Sequence, residues 1–173
     1  MWWFIYGCYR ILIDSIVRRK VKGWPISSYI AALTHQLIVL PVLWYRKDYT
    51  TCMDSTVAHF GVDLLLNREI MSISYGLHHI FAMILAYFMP MNWTTLLVVI
   101  EFGSSGVSIV DLTNRFHTIH SVTFTLSRLY AVWYIAMFMD DDTYYLLPVA
   151  IALFCQNIYT GVCENFDIDK ISC

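Results

Sequence analysis

Seven apolar runs, at residues 2–17, 26–45, 55–66, 70–89, 93–110, 118–139 and 143–162, are separated by short polar breaks. The hydrocarbon core of a bilayer is about 30 Å thick and takes an apolar helix of roughly 20 residues to cross. Most of the runs approach that length, so the pattern predicts an all-α, polytopic integral membrane helical bundle of about seven transmembrane helices. The third run is the shortest and the least apolar. Pro41 is expected to kink the end of the second run. Gly23-Trp24-Pro25 reads as a turn, and residues 46–54 as a polar loop. Pro90-Met91-Asn92 is the tightest connection, which makes the fourth and fifth helices antiparallel neighbours. Gly103-Ser104-Ser105-Gly106 in the fifth run supplies small residues at a spacing that lets another helix backbone approach closely.

Composition agrees with this pattern. The chain of 173 residues is 58% hydrophobic and 14% charged, against roughly 25% charged in a soluble domain. A net charge of −2 offers no basic patch for nucleic acid. Five scattered cysteines without a CxxC spacing argue against a disulfide framework, and Cys155 and Cys163 are expected to act as small packing residues. The first run lacks a basic segment ahead of it, so it reads as a retained anchor rather than a cleaved signal. Three segments follow: an anchor helix with its basic loop at 1–23, a transmembrane core at 24–165 and a polar tail at 166–173.

Charge also predicts orientation. Arg18, Arg19, Lys20, Lys22, Arg68, Arg115 and Lys170 fall on one side of a seven-span chain, with Arg46 and Lys47 on the other. The positive-inside rule then places the N-terminus in the lumen and the C-terminus in the cytosol, provided the third run spans. The sequon at Asn92 would be lumenal but too close to the bilayer for modification.

Several ionisable residues interrupt the later apolar runs: His35, His59, Asp63, His78, His79, Glu101, His120 and Arg128. Such groups are costly in hydrocarbon and normally face the bundle interior with a partner. Arg10 and Asp14, one turn apart, are expected to pair with each other. His59 and His120 are read as lying toward the interface. Asp63 and Glu101 are expected to compensate Arg128. His78 and His79 point about 100° apart on a helix of 3.6 residues per turn, so one can face an interior cavity while the other bonds a neighbouring helix. A histidine there suits a general base or a transient acyl acceptor, with a carboxylate, Glu101 or Asp63, to orient it. The reaction such a set fits is acyl transfer from a thioester to a lipid hydroxyl or amine. Other classes lack their residues. A membrane di-iron site needs more histidines than six, haem ligation has no motif, and no lysine stands in the last run for a retinal.

Read in order, Leu33-Thr34-His35, Phe60-Gly61-Val62-Asp63-Leu64-Leu65, His78-His79, Glu101-Phe102-Gly103-Ser104 and then Phe124 with Arg128 resemble the TLC-domain family. That family includes ceramide synthases, translocating-chain-associated membrane proteins and smaller lipid-regulating members. The resemblance covers about residues 26–163. It implies a six-helix core around a lipid-accessible cavity, an endoplasmic-reticulum or related membrane, and a catalytic site at His78, His79 and Glu101. His35, Asp63, Ser104 and Arg128 would line the cavity. The acidic residues that ceramide synthases carry between their histidine pair and glutamate are missing here, where residues 81–100 are almost wholly apolar. The chain is therefore more similar to the small lipid-regulating members. Membrane lipids are the implied partners, with acyl-CoA as co-substrate if acyl transfer takes place. No metal or resident cofactor is expected. A second copy or another membrane protein would supply what the short loops lack. The alternative is a non-enzymatic lipid sensor, carrier or membrane-protein chaperone using the same cavity.

Overall fold

Capping residues, glycines and prolines decide where the helices break. In the computed structural model, which describes residues 1–138, 144, 147–148 and 150–155, α1 spans Trp2–Ile16 and stops ahead of the basic cluster. Two short antiparallel strands, β1 (Lys20–Val21) and β2 (Trp24–Pro25), follow. The turn between them holds Lys22 and Gly23 at φ 49° and 83°, the positive pair that a two-residue hairpin needs.

Helix α2 (Ile26–Thr34) runs through a π-helical turn (His35–Val39) into α3 (Leu40–Tyr45). Pro41 explains the wider turn. It has no N–H for the carbonyl four residues back, and its ring would crowd that carbonyl in a regular helix. His35 and Gln36 are adjacent, and both are buried.

Helix α4 covers Tyr49–Asn67, six residues earlier than the apolar run suggests. The Asp48 carboxylate accepts the Thr51 N–H at 3.2 Å and starts the helix inside the expected polar loop. Helix α5 (Ile73–Phe88) is capped in the same way by Ser72, which accepts from the Tyr75 N–H at 3.2 Å. After Pro90 and a single 3₁₀ turn (Met91–Trp93), α6 runs over Thr94–Thr113. It ends at Asn114, left-handed at φ 52°. Helix α7 covers His117–Phe138. Residues 147–148 and 150–155 are helical. Apart from residue 144, the rest of the seventh run, the aspartates at 140–142, Cys163, Lys170 and the tail lie outside the described residues.

The fold is thus all-α apart from the two-residue strands. Helix α6 packs chiefly on α7, α4 on α5, and α1 on α4 and α2. Two glycines set the α6–α7 approach. A Cβ on Gly103 would stand 2.0 Å from Ser127 Oγ, and one on Gly106 would stand 2.5 Å from the His120 ring. At the other side of the molecule the Trp3 ring lies directly against Gly61 of α4.

Polarity is distributed inside out. Phe4, Ile16, Ile73, Tyr87 and Leu129 are exposed, whereas Arg10, His35, His59, Asp63, Asn67, His79, Glu101 and Arg128 are buried. Two helices, Ile26–Tyr45 and Thr94–Thr113, are long and apolar enough to cross a membrane, and Ile73–Phe88 is apolar but shorter.

Candidate functional site

The buried polar groups separate into two networks and a cavity. The first network joins α1, α2, α4 and α5. Arg10 at its centre is 1% exposed. Its guanidinium donates to Asp63 Oδ1 at 2.6 Å, to Asn67 Oδ1 at 3.3 Å and to Ser27 Oγ at 3.2 Å. Ser27 donates in turn to Asp14. Asn67 Nδ2 donates to Asp63 Oδ1 at 2.6 Å and to Ser28 Oγ at 3.1 Å. Asp14 therefore does not pair with Arg10. The buried carboxylate of Asp63, on the face of α4 turned to α1, takes that place.

Asp63 also fixes one of the two adjacent histidines. Its Oδ2 lies 3.0 Å from His79 Nε2, and His79 Nδ1–H donates to the Tyr75 carbonyl at 3.0 Å. Both ring nitrogens face oxygen acceptors. The ring then holds a proton on each nitrogen or shares the Nε2 proton with Asp63, and in neither case is a lone pair free.

The second network surrounds His35. Thr56 donates its hydroxyl proton to the Cys52 carbonyl at 2.9 Å, so its Oγ1 accepts from His35 Nε2–H at 3.3 Å. Nδ1 is left as an acceptor, and the Tyr6 hydroxyl donates to it at 2.5 Å. His59 stacks on His35 with ring centroids 4.5 Å apart. His59 is buried in the middle of α4, not at an interface, because the helix begins six residues early. His120 keeps to the first turns of α7, with its ring against Gly106 and its Nδ1 without a partner among the described residues.

The cavity lies between α5, α6, α7 and residues 150–154. The lining forms stripes at helical spacing: His78, Ala82 and Leu85 from α5, with Met89 just past its end; Leu96, Leu97, Ile100, Glu101 and Ser104 from α6, with Trp93 from the 3₁₀ turn before it; Arg128, Ala131, Val132 and Ile135 from α7. The polar members sit together at one end because α5 and α6 are antiparallel. The apolar end is closed by Met89 and the buried Trp93. From Trp93 to Ser104 along α6 is about 16 Å at 1.5 Å per residue. The cavity volume is about 80 Å³, which makes it a narrow slot.

At the polar end Arg128 donates to the Ile100 carbonyl (3.0 Å), Ser127 Oγ (2.9 Å) and Ser104 Oγ (2.8 Å), and its guanidinium lies 4.1 Å above the Phe124 ring. Glu101 accepts from Gln36 Nε2 at 2.9 Å. Among the described residues Glu101 and Arg128 form no ion pair with each other, nor does Glu101 hydrogen-bond either histidine. His78 lines the cavity without a side-chain hydrogen bond among the described residues.

Of the expected site residues, the structure brings His78, Glu101, Ser104 and Arg128 into one cavity. His79 and Asp63 stand behind it in the first network, and His35 lies in the second. Asp63 does not compensate Arg128, since Arg10 and His79 occupy it. Arg10 and Gln36 were not among the expected site residues. Arg10 could have been found as a charge inside an apolar run. Nothing in the sequence marked Gln36, which lies buried in the π-helical turn. Among the described residues no cluster of three or more His, Cys, Asp or Glu side chains is placed to hold a metal ion. Cys52 is buried, while Cys8 and Cys155 are exposed, so Cys155 does not act as a packing residue. The chain matches no protein-family model, no curated protein and no solved structure.

Proposed function

We propose that the chain is a polytopic membrane protein of TLC type that acts on a lipid held in the cavity between α5, α6 and α7. The observation that carries this reading is the slot itself. It has an apolar floor and walls and one polar end built from His78, Glu101, Ser104 and Arg128. The inside-out distribution of polarity supports the membrane setting. Helix α4 has 19 residues and α7 has 22, which suffices for a core of about 30 Å. Their most polar central side chains, His59 and Asp63 of α4 and Arg128 of α7, turn inward, which lowers the mean hydropathy of helices whose outer faces also carry Leu65, Leu126 and Leu129. An endoplasmic-reticulum location with a lumenal N-terminus follows from the resemblance and from the basic residues in alternate breaks.

The chemistry this cavity suits is acyl transfer at His78. Its imidazole would take the proton of a lipid hydroxyl or amine as that group attacks an acyl thioester. The proton would then pass to the departing thiolate. Arg128 would stabilise charge on the acyl oxygen. His79 has no free lone pair and serves as framework.

The test is lipid profiling by mass spectrometry of host membranes expressing the wild type, His78→Ala and His78→Gln at matched levels. Removal of a general base costs roughly 10²–10⁴-fold in rate, so both variants are expected to lose the lipid class that the wild type produces. A Gln variant as active as the wild type would sink the catalytic reading. The cavity would then be that of a sensor, carrier or chaperone, because shape and hydrogen bonding survive that change.

A further inference from the structure

We infer that the slot selects a single-chain amphiphile whose head group carries both an anion and a hydrogen-bond donor. The anion meets Arg128 and the donor meets Glu101. This rests on reading the slot as a lipid site and names the class of lipid it takes.

Two opposite charges face one end of the cavity, both buried, yet they do not touch. Each is tied back by neutral groups. The Ile100 carbonyl and the Ser104 and Ser127 hydroxyls hold Arg128. Gln36, which lies in the π-helical turn, holds one oxygen of Glu101. The other carboxylate oxygen of Glu101 has no partner among the described residues, and Arg128 Nε is buried without one. A buried charge needs an opposite charge or a full set of hydrogen bonds. Here the hydrogen-bond partners among the described residues are neutral, and the two groups, both lining the cavity, form no ion pair with each other. A group lying between them, negative toward Arg128 and donating toward Glu101, completes both. A purely anionic head would leave the carboxylate unmet and repelled. A neutral head would leave the guanidinium without its counter-charge.

The rest of the slot fixes the tail. A volume of about 80 Å³, bounded by Leu85, Leu97 and Ile135, leaves room for one hydrocarbon chain and excludes a two-chain lipid. Trp93 and Met89 close the far end. Length is therefore limited to the span of about 16 Å that eleven helical residues cover.

The test is equilibrium competition on the purified full-length protein in nanodiscs, against radiolabelled lysophosphatidylethanolamine. The competitors share its acyl chain length: monoacylglycerol, which has hydroxyls but no anion, and an alkyl phosphate, which has the anion but no ammonium. Charge-assisted hydrogen bonds set the expected margin. The wild type should bind lysophosphatidylethanolamine at least about tenfold more tightly than either competitor. Arg128→Gln should abolish the preference over monoacylglycerol, and Glu101→Gln the preference over alkyl phosphate. Equal wild-type affinities for all three overturn the inference, and this arm needs no variant. Preferences unchanged in both Gln variants overturn it as well. Head-group preference without any effect of His78→Ala on host lipids would sink the catalytic reading and leave this one standing. Turnover without head-group preference would do the reverse.

Discussion

Replacing Arg10 by Ala should destabilise the protein more than any other single change in α1. The guanidinium makes three buried contacts, to Asp63, Asn67 and Ser27. Removing it strips Asp63 of its closest cation and leaves Asn67 Oδ1 and Ser27 Oγ short of a donor. Breaking one side of a buried pair costs about 3–5 kcal/mol. At roughly 2–4 °C per kcal/mol for a chain of this size, the midpoint should fall by about 6–20 °C. Arg10→Lys keeps the charge but reaches one partner instead of three, so it should fall between Ala and the wild type. The assay is thermal or denaturant unfolding of the purified protein in bicelles, run as a double-mutant cycle with Asp63→Ala. The double variant should cost less than the two single costs added, by about 1–3 kcal/mol, because the partners share one interaction. Additive costs, or an Arg10→Ala loss below about 0.5 kcal/mol, the range of an ordinary surface change, would refute the buried-pair reasoning.

Further outcomes follow from the same geometry. Gly103→Ala puts a Cβ where Ser127 stands and should cost about 1–3 kcal/mol through overpacking of α6 on α7. Gly7→Ala, with nothing within 4 Å, should stabilise α1 by about 0.5–1 kcal/mol, and unfolding midpoints check both. Tyr6→Phe leaves His35 Nδ1 buried without a donor and should cost about 1–3 kcal/mol in the same assay. Nitrogen-15 NMR of labelled histidines should show His35 as the Nε2–H tautomer and His79 with hydrogen-bonded protons at both ring nitrogens. A His79 signal of a free, unprotonated nitrogen would contradict the framework role assigned to it.

Periodicity and turn chemistry made most helices legible. The second run, 26–45, coincides with the continuous helix from α2 to α3, and the small residues at 103–106 mark where α7 comes closest. Helix α4 was harder, because Asp48 begins it among Thr50, Thr51 and Asp54, residues that read as loop by hydropathy. The site was legible in its residue types but not in its partnerships. The local rule of pairs one turn apart joins Arg10 to Asp14, while the fold joins it to Asp63, 53 positions away. No one-dimensional pattern distinguishes His78 from His79. The difference lies in what α4 presents to α5, namely a carboxylate within reach of one ring only. The bond between Gln36 and Glu101 is likewise invisible in one dimension, since the two stand 65 positions apart.

The central claim is that a lipid chain occupies the slot between α5, α6 and α7. Photo-crosslinking in membranes tests it most directly, using a single-chain amphiphile with a diazirine in mid-chain and mass-spectrometric mapping of the adducts. Adducts concentrated on Leu85, Leu97 and Ile135, and displaced by excess unlabelled amphiphile, are the predicted result. Adducts confined to outward residues such as Ile119, Leu126 and Leu129, and insensitive to competitor, would contradict it.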